Sequence, residues 1–279
     1  MQKARTSRAL KLAILALAVT GLAAACITPV PPTPPTPVVI YNSNISPLPG
    51  NVSSQGFQCC QVAEFGDQIQ LGGTARVLQK ATVTMSNWAL HTGANLAFGD
   101  ATGWDQPLTL KIYNVGPNDL AGNPTLGSVL ASVTTVFHIP WRPAADPVNC
   151  PSNPSKFQST PGAPDTNCFN GLATQVTFDL SSLNVTAPGQ VVWGVSYNTQ
   201  SYGASPTGVD GPYNSLNVGA EGFGATVGTD VSQAQAWIAG GNYPYCDNGA
   251  GGHTFRPDVG CAPANDWTGY TPEIRITAI

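Results

Sequence analysis

Apolar and polar residues alternate along most of the chain after residue 38. When apolar residues recur at every second position, one face of the strand is directed towards a core and the other towards solvent, as in antiparallel sheets. No window of ten or more residues keeps the helical period of about 3.6, so the pattern predicts strands and almost no helix. The clearest apolar rows are Ala81/Val83/Met85, Leu108/Leu110/Ile112, Val129/Ala131/Val133/Phe137, Val176/Phe178/Leu180, Val191/Trp193/Val195/Tyr197 and Ile274/Ile276/Ala278, with Glu273 on the solvent side of the last row.

Turn residues separate these rows, because the chain has 30 glycines and 25 prolines. The pattern predicts one all-β domain, an antiparallel β-sandwich of jelly-roll type with about nine to eleven strands. Four connecting segments, 87–106, 139–171, 199–212 and 237–272, are longer than simple turns. Loops of that length are typically functional or tied by disulfides.

The first 37 residues predict export. Four basic residues precede an apolar run over residues 12–18, and small residues follow as far as Ala25. This is the pattern of a secretory signal peptide, and the apolar run is too short to span a membrane. We therefore predict a signal peptide over residues 1–25, a stiff Pro/Thr-rich stalk over 26–37 and the β-sandwich domain over 38–279.

Two processing routes are open at the end of the signal. Ala23-Ala-Ala25 suits ordinary signal peptidase, whereas Leu22-Ala-Ala-Ala-Cys26 resembles a bacterial lipobox with an acylated cysteine. A lipobox carries Leu three residues before the cysteine, where this chain has Ala23. The count of seven cysteines favours a lipidated Cys26, because six then remain for pairing. We expect an extracellular or cell-surface protein of a bacterial envelope, attached to the membrane through this lipid alone.

The other six cysteines form an adjacent pair and two local loops: Cys59 with Cys60, Cys150 with Cys168, and Cys246 with Cys261. Pairing of sequence neighbours is the prediction, and each closed loop would contribute about 3 kcal/mol. Cys59 and Cys60 either bond to each other or each to a distant partner. Zinc is not expected, because no C-x-x-C spacing is present and the chain has only three histidines.

Charge excludes some partners. Only seven Lys and Arg residues follow residue 38, whereas all fifteen Asp and Glu residues do. Without a basic stripe to neutralise phosphates, a nucleic-acid partner is not expected. The expected cofactor is none, with a structural calcium ion as a candidate, because Asp recurs beside Gly and Asn; Asp67 and Asp179 are candidate ligands. Asp in such positions also serves simply to form turns.

Aromatic residues concentrate near the second cysteine loop. Five of them are candidate ligand-binding residues: Trp237, Tyr243, Tyr245, Trp267 and Tyr270. An aromatic ring stacks on the apolar face of a sugar while neighbouring amides and carboxylates bind its hydroxyls. The alternative interpretation is that these rings plug loops onto the ends of the sandwich.

Catalysis has less support. A glycosidase needs two carboxylates that face each other across a cleft, whereas the only glutamates are Glu64, Glu221 and Glu273, and Glu273 is predicted on the solvent face of the last strand. A Ser-His-Asp constellation could use His91, His138 or His253, and His253 is the best candidate because it follows Gly251-Gly252 in a loop with Asp247 and Asp258. No Gly-x-Ser-x-Gly motif is present. We therefore assign no catalytic residues.

Five blocks of sequence resemble an uncharacterised family of secreted bacterial β-sandwich proteins of the cell surface. They are Phe65–Arg76, Leu108–Val115, Phe178–Leu183 with Gly194–Asn198, Tyr213–Gly219 and Trp267–Pro272. The resemblance runs over roughly residues 40–279 and implies the fold and the compartment, but no catalytic residues. Cys59-Cys60 departs from the family pattern.

These observations favour a non-catalytic surface module that binds a polysaccharide or another extracellular ligand through aromatic loops. A structural or adhesive envelope protein with protein partners is the alternative, and a secreted hydrolase is the third. The first predicts aromatic rings exposed on loops, whereas the second predicts buried rings and an exposed strand edge.

Overall fold

The computed structural model describes residues 35–159, 166–220, 224–232, 235–240, 254–259 and 270–279, and residues from Thr36 to Ile279 form one compact unit. Its strands are β1 Val38–Asn42, β2 Ser54–Gly56, β3 Val62–Gln70, β4 Leu78–Asn87, β5 Gly103–Asn118, β6 Pro124–Pro140, β7 Phe157–Gln158, β8 Cys168–Phe169, β9 Leu172–Asp179, β10 Gln190–Ser196, β11 Leu216–Gly219, β12 Thr229–Asp230, β13 Trp237–Gly240, β14 Phe255–Pro257 and β15 Ile274–Ala278.

Helix is limited, in the part of the chain that is described, to three short 3-10 turns: η1 Gly93–Ala97, η2 Ser181–Leu183 and η3 Pro212–Ser215. The strand pairings are antiparallel throughout. The prediction of an all-β, antiparallel sandwich is therefore confirmed.

The first sheet is arranged around β4. Strand β9 pairs along one side of β4, while β15 and β11 share the other side. Strand β1 then pairs with β15, and β2 pairs with β11. The first and last strands of the domain are thus neighbours, with Val38 opposite Ala278.

The second sheet has the order β14-β13-β3-β10-β5-β6, and β12 also pairs with β3. Its longest strands, β5 and β6, form a hairpin in which Asp105 lies opposite His138. The antiparallel sheets include a curled half-barrel. The open end of this hairpin carries a cleft.

The core lies between the two sheets and follows the predicted alternation. The row from Val191 to Tyr197 is buried, and so are Ile274, Ile276 and Ala278. Two details of the pattern were wrong. Val129 is 53% exposed, because the register of β6 shifts opposite Tyr113. Glu273 is fully buried, because its backbone bridges Gly219 and Thr84 instead of continuing the solvent-facing row of β15.

A second, smaller apolar cluster covers the outer face of the second sheet. It consists of Tyr113, Val192, Trp237, Ala239 and Phe255. Under it lies Glu64, whose carboxylate accepts hydrogen bonds from Tyr113 Oη at 2.8 Å and Lys111 Nζ at 3.3 Å. The sheet therefore buries side chains on both faces near β3, β10 and β13.

One predicted disulfide is present, between Cys150 and Cys168. Cys59 and Cys60, whose pairing the sequence left open, are neighbouring thiols in this structure. Cys26, Cys246 and Cys261 lie outside the described residues.

Candidate functional site

The aromatic residues predicted to bind a ligand do not form one exposed face. Trp237 is 1% exposed and packs on Phe255, with 5.7 Å between ring centroids. It lies on the outer face of β13 within the cluster of Tyr113, Val192 and Phe255, so it presents no exposed ring in this structure. Tyr270 is half-exposed, whereas Tyr243, Tyr245 and Trp267 lie outside the described residues.

A cleft with aromatic residues in its lining lies at the open end of the β5–β6 hairpin. Its lining comes from the turn that follows η1 and from the paired ends of β5 and β6. The cleft has a volume of about 410 Å³ and is lined by Phe98, Gly99, Asp100, Trp104, Asp105 and His138.

A second depression of about 230 Å³ shares Phe98, Trp104 and Asp105 with the first. It is completed by Gln106, Pro107, Asn198, Thr207 and Tyr213. We call the two depressions together the Phe98 cleft. Phe98 is half-buried and meets Tyr213 edge-on, with ring centroids 5.9 Å apart.

A tight turn shapes one wall of the Phe98 cleft. Gly99 has a φ of +63°, and a Cβ atom there would lie 2.0 Å from the carbonyl oxygen of Gly103. Only glycine allows this close approach. Asp100 then closes the turn, because its Oδ1 accepts hydrogen bonds from the backbone N–H groups of Thr102 at 2.7 Å and Gly103 at 3.3 Å.

Stacked rings hold this turn against the sandwich. Trp141 Nε1 donates a hydrogen bond to the carbonyl oxygen of Asp100 at 2.7 Å. The Trp141 ring lies between Trp104, at 4.8 Å, and His91, at 4.9 Å. Because Trp104 and Trp141 are both buried, the wall of the cleft is supported by the domain itself.

His138 joins the acidic side chains of the cleft. Its Nδ1 lies 3.0 Å from Asp105 Oδ1, and its Nε2 lies 2.9 Å from Thr102 Oγ1. Thr102 Oγ1 donates to Asp100 Oδ1 at 2.5 Å, and the hydrogen bonds from Thr102, with a smaller effect from His138, lower the pKa of Asp100. All three ring and carboxylate groups are solvent-accessible, with side-chain exposures of 45% for His138, 67% for Asp100 and 73% for Asp105.

This order of groups resembles a hydroxyl–imidazole–carboxylate triad, but its hydrogen bonds do not suit acyl transfer. The Thr102 hydroxyl donates its hydrogen bond to the Asp100 carboxylate, and not to the His138 imidazole, which would be the general base of a triad. The backbone N–H groups of Thr102 and Gly103 are bound to that same carboxylate, so they cannot stabilise an oxyanion. What the arrangement does is fix polar groups at the edge of an aromatic cleft.

The sequence did not identify this site. His138 was one of three candidate histidines, and the preferred one, His253, lies outside the described residues. The signal that could have found the site is the register of the β5–β6 hairpin, which places Asp105 opposite His138.

The predicted calcium ligands do not come together. Asp67 is buried on β3 in the second sheet, while Asp179 ends β9 in the first sheet and accepts a hydrogen bond from the Ser181 hydroxyl at 2.6 Å. Over the described ranges, no group of three or more His, Cys, Asp or Glu side chains is placed to hold a metal ion.

Another groove, of about 510 Å³, lies on the first sheet. Asn42, Asn44, Gln175 and Arg275 contribute its polar lining, and the described residues that line it include no aromatic ring. This groove offers hydrogen bonds but no surface for stacking.

Comparison with known proteins adds no relative. No protein-family model matches the chain, and no similar protein was found among curated sequences or solved structures. Among the described residues, no helix is long and apolar enough to cross a membrane. The resemblance to secreted cell-surface proteins therefore stays a prediction from the sequence blocks alone.

Proposed function

We propose that this protein is an exported, non-catalytic surface module that binds a glycan in the Phe98 cleft. The observation that carries the proposal is the position of the half-buried Phe98 ring on one cleft with imidazole, carboxylate and amide groups. Sugars need both kinds of group, an aromatic face for their C–H surface and directional partners for their hydroxyls. The first depression alone lies within the size range of small-ligand sites, about 300–1,000 Å³.

The geometry supports binding over hydrolysis. The groups that would act as nucleophile and oxyanion donors in the Thr102–His138 network are bound to Asp100. A rigid wall backed by Trp104 and Trp141 presents a pre-formed surface, which limits the entropy lost on binding.

Export is part of the proposal. The signal-like N-terminus and the stalk support it, and the Cys150–Cys168 bond supports it independently because disulfides persist in oxidising compartments. We propose a cell-surface location with Cys26 as the lipid attachment site. The acidic domain fits a glycan better than a nucleic acid.

The test is affinity electrophoresis of the protein through gels that contain soluble polysaccharides, with calcium and with chelator. We expect a polysaccharide to retard the wild type and the Phe98→Ala variant to bind about tenfold more weakly, the loss that 1.4 kcal/mol produces. Trp88→Ala is the matched control, because Trp88 is 42% exposed but lines neither depression.

The proposal fails if no polysaccharide retards the wild type, or if Trp88→Ala weakens binding while Phe98→Ala does not. A loss of retardation in chelator would show that a calcium ion takes part. Thermal unfolding of Phe98→Ala checks that the variant is folded, because Phe98 also packs against the core.

A second candidate is adhesion to another protein through a strand edge. Strand β6 is 17 residues long and contains no Asp, Glu, Lys or Arg. Within the described residues it pairs with β5 on one side and with no strand on the other. Long uncharged edges can accept an added strand, so failure to bind any glycan would favour this function.

A further inference from the structure

The turn between β2 and β3 carries two adjacent cysteines that the proposed glycan site does not use. Cys59 is exposed, and Cys60 packs partly buried against the main core. The Cys59 thiol is hydrogen-bonded to Cys60, and this bond is the main reason why the pKa of Cys59 is raised. The two sulfur atoms are therefore already neighbours.

The turn that holds them is anchored at its start. The carbonyl oxygen of Phe57 accepts a hydrogen bond from Val62 N at 3.0 Å, which closes the turn. The Phe57 ring is fully buried and contacts Phe65 and Tyr197, with ring centroids 4.9 and 4.4 Å away.

A second anchor follows one residue later. Gln58 Oε1 accepts hydrogen bonds from Thr199 Oγ1 at 2.7 Å and from Ser201 N at 3.0 Å. Gly56 leaves room for the Cys59 sulfur, since a Cβ atom at Gly56 would lie 2.5 Å from it. The sequence thus places the exposed thiol against backbone and beside its neighbour, on a turn fixed from both sides.

We propose that Cys59 and Cys60 form a reversible dithiol–disulfide site that reacts with small disulfides. The Cys60 thiolate, which accepts the hydrogen bond of the Cys59 thiol, attacks one sulfur of the oxidant, which releases one small thiol and leaves a mixed disulfide on Cys60. Once Cys60 no longer carries a charge, Cys59 loses its proton, and its thiolate attacks the Cys60 sulfur, which forms the Cys59–Cys60 bond and releases the second small thiol. Both electrons pass to the oxidant, and the two protons end on the released thiols.

Chain geometry makes this bond easier to reduce than the structural one. Consecutive Cα atoms are about 3.8 Å apart, whereas disulfides prefer about 4.4–6.8 Å, so a bond between adjacent cysteines is strained. Cys150 and Cys168 lie within the preferred range, with 5.9 Å between their Cα atoms. Strained, exposed disulfides are the labile ones.

The test treats the whole protein, purified without reductant, with oxidised glutathione, alkylates it with iodoacetamide and maps its peptides by mass spectrometry. We expect the peptide that contains Cys59 and Cys60 to carry no alkyl group and to be two hydrogens lighter than the dithiol. Dithiothreitol should restore both alkylation sites at a concentration at least about tenfold lower than Cys150–Cys168 requires.

Phenylarsine oxide, which bridges adjacent thiols, gives an independent readout. The reduced wild type should bind it, and Cys59→Ser and Cys60→Ser should each lose binding. Cys59→Ser keeps the test valid even if Cys60→Ser fails to fold, because Cys59 is exposed. The proposal is overturned if both cysteines stay alkylatable after glutathione treatment, keep separate glutathione adducts, or link to Cys246 or Cys261.

Discussion

At the residue scale, Asp67 is the least expected side chain of the core. It is 1% exposed and lies between Phe65 and Ile69 on the inner face of β3, in a row that is otherwise apolar. Its Oδ1 accepts a hydrogen bond from Gln68 N at 2.7 Å. Burial, and next the neighbouring charge of Asp230, raise the pKa of Asp67 well above its usual value.

This raised pKa predicts that Asp67→Asn stabilises the protein at neutral pH. The unfolded chain ionises Asp at about pH 3.9, whereas the folded chain resists ionisation, so stability falls as pH rises between the two pKa values. Asn keeps an oxygen that accepts the hydrogen bond from Gln68 N, and it removes the cost of ionising a buried carboxyl group. We expect the melting temperature to rise by roughly 2–4 °C, the effect of about 1 kcal/mol in a domain of this size.

The gain should shrink as the pH is lowered through about 4 and disappear well below it, where both the folded and the unfolded wild type are protonated. Asp179→Asn is the control, because hydrogen bonds from Ser181 lower the pKa of this exposed carboxyl. Its neutralisation should not raise the melting temperature. A rise of equal size in both variants, or a gain independent of pH, would contradict the role given to Asp67.

At the element scale, β3 depends on a glycine at its centre. Gly66 lies opposite Gly194 of β10 and Trp237 of β13. A Cβ atom at Gly66 would lie 1.7 Å from the backbone oxygen of Trp193, which a side-chain rotation cannot relieve. The three strands can pair at this register only because the position has no side chain.

We therefore predict that Gly66→Ala destabilises the protein by about 3 kcal/mol or more, through displacement of β10 from β3. Gly189→Ala is the matched control, since its Cβ would meet only Gln70 Nε2, at 3.4 Å. Thermal unfolding of the two variants is the measurement. Equal melting temperatures would show that the sheet adapts at Gly66.

The strands could be predicted from the sequence, whereas the cleft could not. The alternation at Leu108, Leu110 and Ile112 found β5, but its first part was predicted as loop. That part alternates too, yet buried Gln106 takes an apolar position and Pro107 is unusual within a strand. Without those residues in β5, the sequence did not place Asp105 beside His138.

At the scale of the whole molecule, pairing partners are far apart in the chain. Alternation tells which face of a strand is buried, but not that β1 pairs with β15 or that β3 lies between β13 and β10. Trp237 shows the consequence. Its place in a cysteine-rich loop region suggested a binding residue, whereas β14, which follows it in sequence, buries it on the outer face of the sheet.

Among the described residues, the Cys150–Cys168 bond is a covalent tie that local spacing predicted, and its effect belongs to the whole chain. It joins residues separated by 18 positions and so restricts the unfolded chain more than the folded one. Cys150→Ala/Cys168→Ala should therefore lower the free energy of unfolding by about 3 kcal/mol. Urea denaturation with the wild type as reference measures this loss, and the slope of the transition should steepen because the unfolded variant exposes more surface.

Cys59→Ser, which leaves this loop closed, should keep the wild-type midpoint. An unchanged midpoint in the double variant would mean that the loop is already restricted in the unfolded chain without its disulfide.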